Sequence, residues 1–308
     1  MDVDGLATFL AVSRLKGFSA AAEALGRTQP AISRRIGLLE AELGAPLFDR
    51  TAGGAVLSQA GRALVPYAER ALAAVEDARR AVRDLASDAV GPVSLAIVGT
   101  LADTDLAPVL RRFAARHPGV DLRLRTATSA EVSDLVRRGE ATLGLRYHAD
   151  PSPDLACEVL WAESLVVVCA PEHPRAGRAV TTLAELQGER WLAFPITPGR
   201  EEIAASHVFS VFRARGLGQV DWTAVDSLTA QRRLVEAGFG VALMPESFVA
   251  AALEEGTVGR IGVADLKAAR PVASVVRRGG YLSAAARGLL ELLATRPRGL
   301  PAPPIADT

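Results

Sequence analysis

Gln29, Ser33, Arg34 and Arg35 lie close together on a stretch where Ile32, Ile36, Leu39 and Leu43 recur at helical spacing. Amide, hydroxyl and guanidinium groups on the outer face of a helix are the ones that hydrogen-bond base edges and phosphates. From Ala24 to Leu39 there are three arginines and no acid, so nothing there repels a phosphate backbone. Pro30 suits a first helical turn, Thr28 is the expected N-cap of that helix, and Gly26 can supply a left-handed residue ending the helix before it. That earlier helix, Ala20 to Leu25, is made of small residues and has Ser19 as its expected N-cap. The pattern predicts a helix-turn-helix whose second helix enters a major groove. An ordinary helical hairpin with a solvated basic face shares the pattern, so the residues alone leave both open.

Enzyme chemistry finds no comparable support. The chain has no Gly-Lys-Ser/Thr phosphate loop, no nucleophile-elbow serine, no paired zinc histidines and no dinucleotide glycine fingerprint. His117, His148, His173 and His207 have no metal-ligand spacing, and His117 and His173 each precede proline. Cys157 and Cys169 offer neither a zinc spacing nor a disulfide framework. They read as structural thiols on adjacent strands. The expectation is therefore a non-enzyme without cofactor or metal.

The elements that must position the reading helix follow from periodicity. Leu6, Phe9, Leu10 and Val12 mark a bracing first helix, and Gly53-Gly54 a turn between two short extended pieces, with Arg50 at their base in reach of phosphate or of a neighbouring acid. From Ser58 to about Ala86 a long helix carries Leu64, Ala68, Ala71 and Val75, then Ala78, Val82 and Leu85, at alternating spacings of four and three. That is a heptad seam, read as a dimerisation face with packing on its own chain as the alternative. Pro66 should kink this helix or mark where its rigid stretch begins. After a Gly-Pro hinge at Ser87 to Pro92 the period changes. Strands at 93–98, 120–125, 142–146, 165–170, 191–194, 220–225, 241–244 and 272–276 alternate with helices at 105–116, 129–138, 201–215, 227–237 and 283–293. This alternation predicts βαβ units and a mostly parallel sheet.

Ligands of open α/β folds lie at strand C-termini, where helix N-termini offer free N–H groups. Thr100, Thr128, Ser129, Thr197 and Ser227 all stand at such junctions, although each is also an ordinary N-cap residue. Arg146, beside Tyr147 and His148, could meet a carboxylate or simply be ion-paired at a rim. The 308 residues carry 35 basic and 35 acidic side chains, so only a local face is positive. The N-terminus lacks a basic start and apolar core, and no apolar run approaches the about 20 residues of a membrane span. The expected location is the cytoplasm.

Phe18-Ser19, Ala21-Ala22, Leu25, Gln29-Pro30-Ala31, Ser33, Leu39-Glu40, Leu43-Gly44, Pro46-Leu47-Phe48 and Arg50 resemble the N-terminal signature of LysR-type transcriptional regulators, and Leu57 to Gly61 resembles the segment that follows it. Leu110 to Pro118, Leu135, Gly139-Glu140, His173-Pro174 and Leu234-Val235 through Gly238, Gly240 and Pro245 resemble the family's C-terminal half, which is like a type 2 periplasmic solute-binding protein. The resemblance implies an α+β multidomain chain: a winged helix-turn-helix at 1–60, a linker helix and hinge at 58–90, and a two-lobed α/β effector-binding domain at 91–295. Lobe one is expected at 91–163 and 268–295, lobe two at 164–267, and a disordered tail at 296–308. It further implies that Thr28, Gln29, Pro30, Ser33, Arg34, Arg35 and Arg50 meet promoter DNA and that a small anionic effector sits between the lobes. The assembly implied is a homodimer, paired into a homotetramer. A constitutive DNA binder whose lobes only oligomerise is the alternative. The chain departs from the family at Thr142, where an aspartate is usual, and at Gly144, where alanine is common.

Overall fold

The computed structural model describes residues 1–51, 54–86, 91–102, 106–180, 182–195, 212, 220–266 and 269–295. The helix expected over Glu201–Arg215 (Phe212 apart), Thr197 and the 296–308 tail lie outside these residues. The chain divides into two compact units, one of Met1–Asp88 with Arg137–Glu140 and Gly279–Tyr281, the other of the remaining residues from Ala89 onward.

In the first unit α1 (Val3–Leu15), α2 (Phe18–Ala24) and α3 (Gln29–Leu43) are followed by a hairpin of β1 (Phe48–Thr51) and β2 (Gly54–Leu57), then by α4 (Gln59–Ala86). Asp2 caps α1 by accepting from the Gly5 N–H at 2.7 Å. Gly26, at φ 62°, makes the turn into α3. Phe9 and Phe18 stand 5.5 and 5.6 Å from Phe48, so the wing hairpin and the helices share one buried aromatic centre. Ser19 is not the cap of α2. Phe18, already packed on Phe48, is the first helical residue, and Gly17 is the N-cap. Ile32, Ile36 and Leu39 face inward as expected, but Leu43 is 41% exposed because the core ends one turn before α3 does.

α4 runs unbroken through Pro66. Its seam divides. Leu64, Ala68 and Ala71 pack into the winged-helix core of their own chain, while Val82 and Leu85 are 65% and 89% exposed.

The second unit opens with β3 (Val93–Val98), a 3₁₀ turn at Gly99–Leu101, α5 (Leu106–Arg116), β4 (Leu122–Ala127), α6 (Ser129–Arg137) and β5 (Leu143–Tyr147). Next comes β6 (Leu155–Cys169), then β7 (Ala179–Val180), β8 (Trp191–Ala193), β9 (Trp222–Ala224), α7 (Leu228–Glu236), β10 (Ala242–Pro245) and α8 (Glu246–Glu254). β11 (Gly259–Val263), β12 (Ala269–Arg277) and α9 (Ala284–Ala294) complete it. The main sheet runs β4-β3-β5-β12-β6-β11-β7, with β10 also on β6, and β8 pairs with β9. β3 is parallel to β4 and β5, but β12 is antiparallel to β5 and β6, and β10 and β11 are antiparallel to β6. The sheet is therefore mixed rather than mostly parallel, because β6 and β12 run in opposite senses. β6 joins the apolar core around its first half, which pairs with β12, to the two clusters on either face of its second half, which pairs with β10 from Leu165. Cys157 and Cys169 lie on this one strand, not on adjacent ones. Burial, with Glu189 second, pushes the Cys169 thiol up to about 11.

At Gly144 on β5 a Cβ would come within 2.5 Å of Val132 and 2.7 Å of Val275. α6 thus sits on the sheet at a distance only glycine permits. Gly144→Ala is expected to cost about 1–3 kcal/mol through overpacking. Urea unfolding measures it, and an unchanged midpoint would show that Val132 and Val275 yield without cost.

Candidate nucleic-acid interface and effector crevice

α3 begins at Gln29 with Pro30 in its first turn and no acid there. Thr28 is its N-cap as expected, but its side chain makes no capping bond, so the helix's positive end is not sealed by its own hydroxyl. Thr28, Gln29, Pro30 and Arg34 are exposed, and Ser33 and Arg35 are half-buried. Gln29 donates from Nε2 to Ser33 Oγ at 3.0 Å, which holds both side chains on one face of the helix. Arg35 turns the other way: its Nε donates to Asp4 at 2.7 Å, and a second guanidinium nitrogen stands 3.2 Å from Asp2. Arg27 donates to the same Asp4 carboxylate at 2.8 Å. The Arg27 and Arg35 guanidinia hold the Asp4 carboxyl down at about 2. Because that lies below its ordinary 3.8, the folding contribution is complete above 3.8 and fades as the pH falls towards about 2. Arg50 lies on β1 opposite Ala55 of β2.

In the second unit two of the sequence-chosen polar residues, Thr100 and Ser129, converge on Tyr147, at the end of β5. Thr100 Oγ1 is 2.7 Å from the Tyr147 hydroxyl, which donates to Glu163 at 2.9 Å, and the Tyr147 backbone N–H donates to Ser129 Oγ at 3.2 Å. Arg270 lies over the Tyr147 ring at 3.8 Å and faces Glu163 across the β6–β12 pair at 3.9 Å. Tyr147, Glu163 and Arg270 are 2, 6 and 9% exposed, so this is a buried polar cluster at the crossing of β6 and β12. Burial is the chief cause pushing the Tyr147 hydroxyl above its ordinary value, which keeps it protonated.

Thr128 is occupied locally: its backbone N–H and Oγ1 both donate to the Glu131 carboxylate at 2.9 Å. Arg146 stands 2.9 Å from Asp150 in a largely buried ion pair, and its Nε and Nη1 make no hydrogen bond among the described residues. Ser227 caps α7 by accepting from the Ala230 N–H at 3.3 Å. Sequence reading missed Glu163 and Arg270. Each is a charge beside an apolar strand run, Glu163 just before Leu165–Ala170 and Arg270 just before Val272–Val276, and that was the available signal.

Two family profiles match the chain: one described as a bacterial regulatory helix-turn-helix protein of the lysR family over residues 3–62, the other as a LysR substrate binding domain over residues 86–298. The chain belongs to the LysR family of transcriptional regulators. The regulator IlvR of Caulobacter vibrioides is 35% identical over 256 residues, covering 80% of this chain and 83% of that protein. A full-length OxyR from Pseudomonas aeruginosa has a TM-score of 0.70 at 20% identity, covering 96% of this chain and 93% of that one. Full-length CbnR in complex with its target DNA gives 0.63 at 24%, over 95% and 99% of the two chains. The fold is therefore that of full-length LysR-type regulators: an N-terminal helix-turn-helix and a C-terminal effector-binding domain. No helix among the described residues is long and apolar enough to cross a membrane.

The Arg34 side chain, exposed on the reading face, gives one prediction for this LysR-type regulator. Arg34→Ala should weaken binding to promoter DNA and lower its salt slope by about 1; an identical gel-shift titration would remove Arg34 from the contact set. Asp4 gives the opposite sign. Asp4→Asn releases Arg27 and Arg35 from an internal carboxylate, so binding at low salt should tighten and the salt slope steepen. Equal slopes for variant and wild type would mean that neither arginine reaches phosphate.

Proposed function

We propose that this LysR-type regulator acts in the cytoplasm as a homodimer, paired into a homotetramer, on a promoter site with inverted half-sites. α3 lies in the major groove with Thr28, Gln29, Pro30, Ser33 and Arg34 at bases and phosphates, Arg35 joins them only on exchanging Asp4 for a phosphate, and Arg50 reaches the backbone from the wing. The observation that carries this reading is the acid-free, exposed start of α3 on a helix-turn-helix of the matching family. Residues 58–90 serve as linker and 91–295 as the effector module, with lobe one at 91–163 and 268–295 and lobe two at 164–267. A small molecule held between the lobes by Thr100, Thr128, Ser129, Arg146, Thr197 and Ser227 biases one arrangement of the assembly by a few kcal/mol, about what an allosteric coupling needs. The reaction class is binding without covalent chemistry.

Pairing runs along α4. Exposed apolar side chains at Val82 and Leu85 recur at seam spacing with Val75 and Ala78. Leu64, Ala68 and Ala71 support this by fixing the helix to its own reading domain. The test is a gel shift on the DNA flanking the protein's own gene, with sedimentation velocity of the same preparation. Val82→Asp should shift the assembly toward monomer and weaken DNA binding, without loss of fold because Val82 is exposed in the single chain. A wild-type sedimentation profile would move the dimer contact elsewhere.

A further inference from the structure

The hydrogen bonds at the carboxyl end of β3 have a fixed direction. Glu163 faces the Arg270 guanidinium at 3.9 Å, and a carboxylate so placed only accepts. The Tyr147 hydroxyl has one proton and donates it to Glu163 at 2.9 Å. Thr100, 2.7 Å from the same oxygen, must then be the donor in its own bond to Tyr147. Its single proton is spent inward. Thr100 is half-buried in the 3₁₀ turn at a strand C-terminus, and what its oxygen has left for a ligand is lone pairs.

The neighbouring groups that could receive an anion face this chain's own carboxylates, although the Arg146 Nε and Nη1 make no hydrogen bond among the described residues. The Thr128 N–H and hydroxyl hold Glu131 at the start of α6, and Arg146 holds Asp150. The Ser129 hydroxyl, 1% exposed, accepts from the Tyr147 backbone. The described part of the crevice thus presents an acceptor at Thr100, backed by a buried carboxylate at Glu163.

We infer that the effector of this protein presents a hydrogen-bond donor to Thr100, an ammonium, amidinium, amide N–H or hydroxyl, and that a bare carboxylate is disfavoured there. This rests on the reading that a small molecule occupies the crevice. It separates two ligand classes that the same threonine would otherwise serve equally, since a free hydroxyl both donates and accepts. A carboxylate at Thr100 would meet lone pairs on lone pairs unless the relay reversed, and reversal would leave the Glu163 carboxylate without the Tyr147 proton.

The relay has a breakable link. Tyr147→Phe removes the acceptor that takes the Thr100 proton, and Thr100 is then free to donate outward. The experiment is a thermal-shift and calorimetric titration of the full chain with two sets of probes. The donor set is arginine, putrescine, benzamidine and benzyl alcohol. The donor-free set is succinate, 2-oxoglutarate, benzoate and muconate. Wild type should be stabilised more strongly by at least one member of the first set than by any member of the second. Thr100→Val should weaken that binding about tenfold, the loss of one net hydrogen bond at the upper end of its usual range. Tyr147→Phe should lower the donor-to-carboxylate selectivity by a comparable factor, a change that a purely structural tyrosine would not produce. Apo melting temperatures of both variants establish that they fold. Carboxylate binding by wild type that falls in Thr100→Val would overturn the donor assignment and leave the effector crevice standing. No stabilisation by either set, with DNA binding intact, would overturn both.

Discussion

A buried carboxylate at a strand crossing is the constraint around which the sensing half is arranged. Glu163 lies where β6 stops pairing with β12 and begins pairing with β10, and it is almost wholly out of water. An isolated charge there would cost several kcal/mol. Arg270 directly opposite and the Tyr147 hydroxyl beside it offset that cost, and Arg270 in turn covers the Tyr147 ring. Three strands, β5, β6 and β12, are therefore tied at one point by polar contacts that tolerate little displacement. The apolar cores on either side impose no such directionality. A ligand at Thr100 touches the end of this chain of bonds, and so touches the place where these cores meet one strand.

The DNA-reading half solves a different electrostatic problem. An arginine-rich helix surface must stay attractive to phosphate, yet its arginines repel each other in the free protein. Asp4, on α1, neutralises Arg27 and Arg35 while leaving Arg34 in solvent. The field at the reading face is thus set partly by an acid distant in sequence, and Asp4 bears on the affinity of α3 without lying on it. Such long-range neutralisation is invisible to a count of charges along α3.

Elements with an autonomous signal were legible in the sequence. β3 and α9 lie within a residue of their expected bounds, and α1 and α3 form around the apolar residues that marked them. The misses have physical causes. The first half of β6 reads poorly because Glu158 and Glu163 interrupt its apolar run, and only Arg270, far away in sequence, makes the second of these tolerable. α8 is alanine-rich and lacks a strong stripe, and β11 follows it with two glycines. The mixed sheet was missed because the direction in which β12 pairs with β5 and β6 is a tertiary fact that the βαβ alternation does not encode. For the site, Thr100 and Ser129 were found from their junction positions, but their partners were not. Hydrogen-bond direction at Thr100 is a property of the cluster, and no residue type encodes it.

The divided seam of α4 bears on how sensing and reading are linked. Had all seven seam positions faced a partner, the helix would be a free coiled coil whose register could slip without moving the reading domain. Leu64, Ala68 and Ala71 are instead committed to the winged-helix core. The rest of the seam, from Val75 to Leu85, therefore extends the reading domain by roughly one and a half nanometres of helix, at about 1.5 Å per residue. A partner that docks on Val82 and Leu85 fixes the angle between two reading helices as well as their distance. In the proposed assembly, a change in how the sensing units pair would reach DNA as a rotation of the reading heads, a motion to which half-site spacing is sensitive.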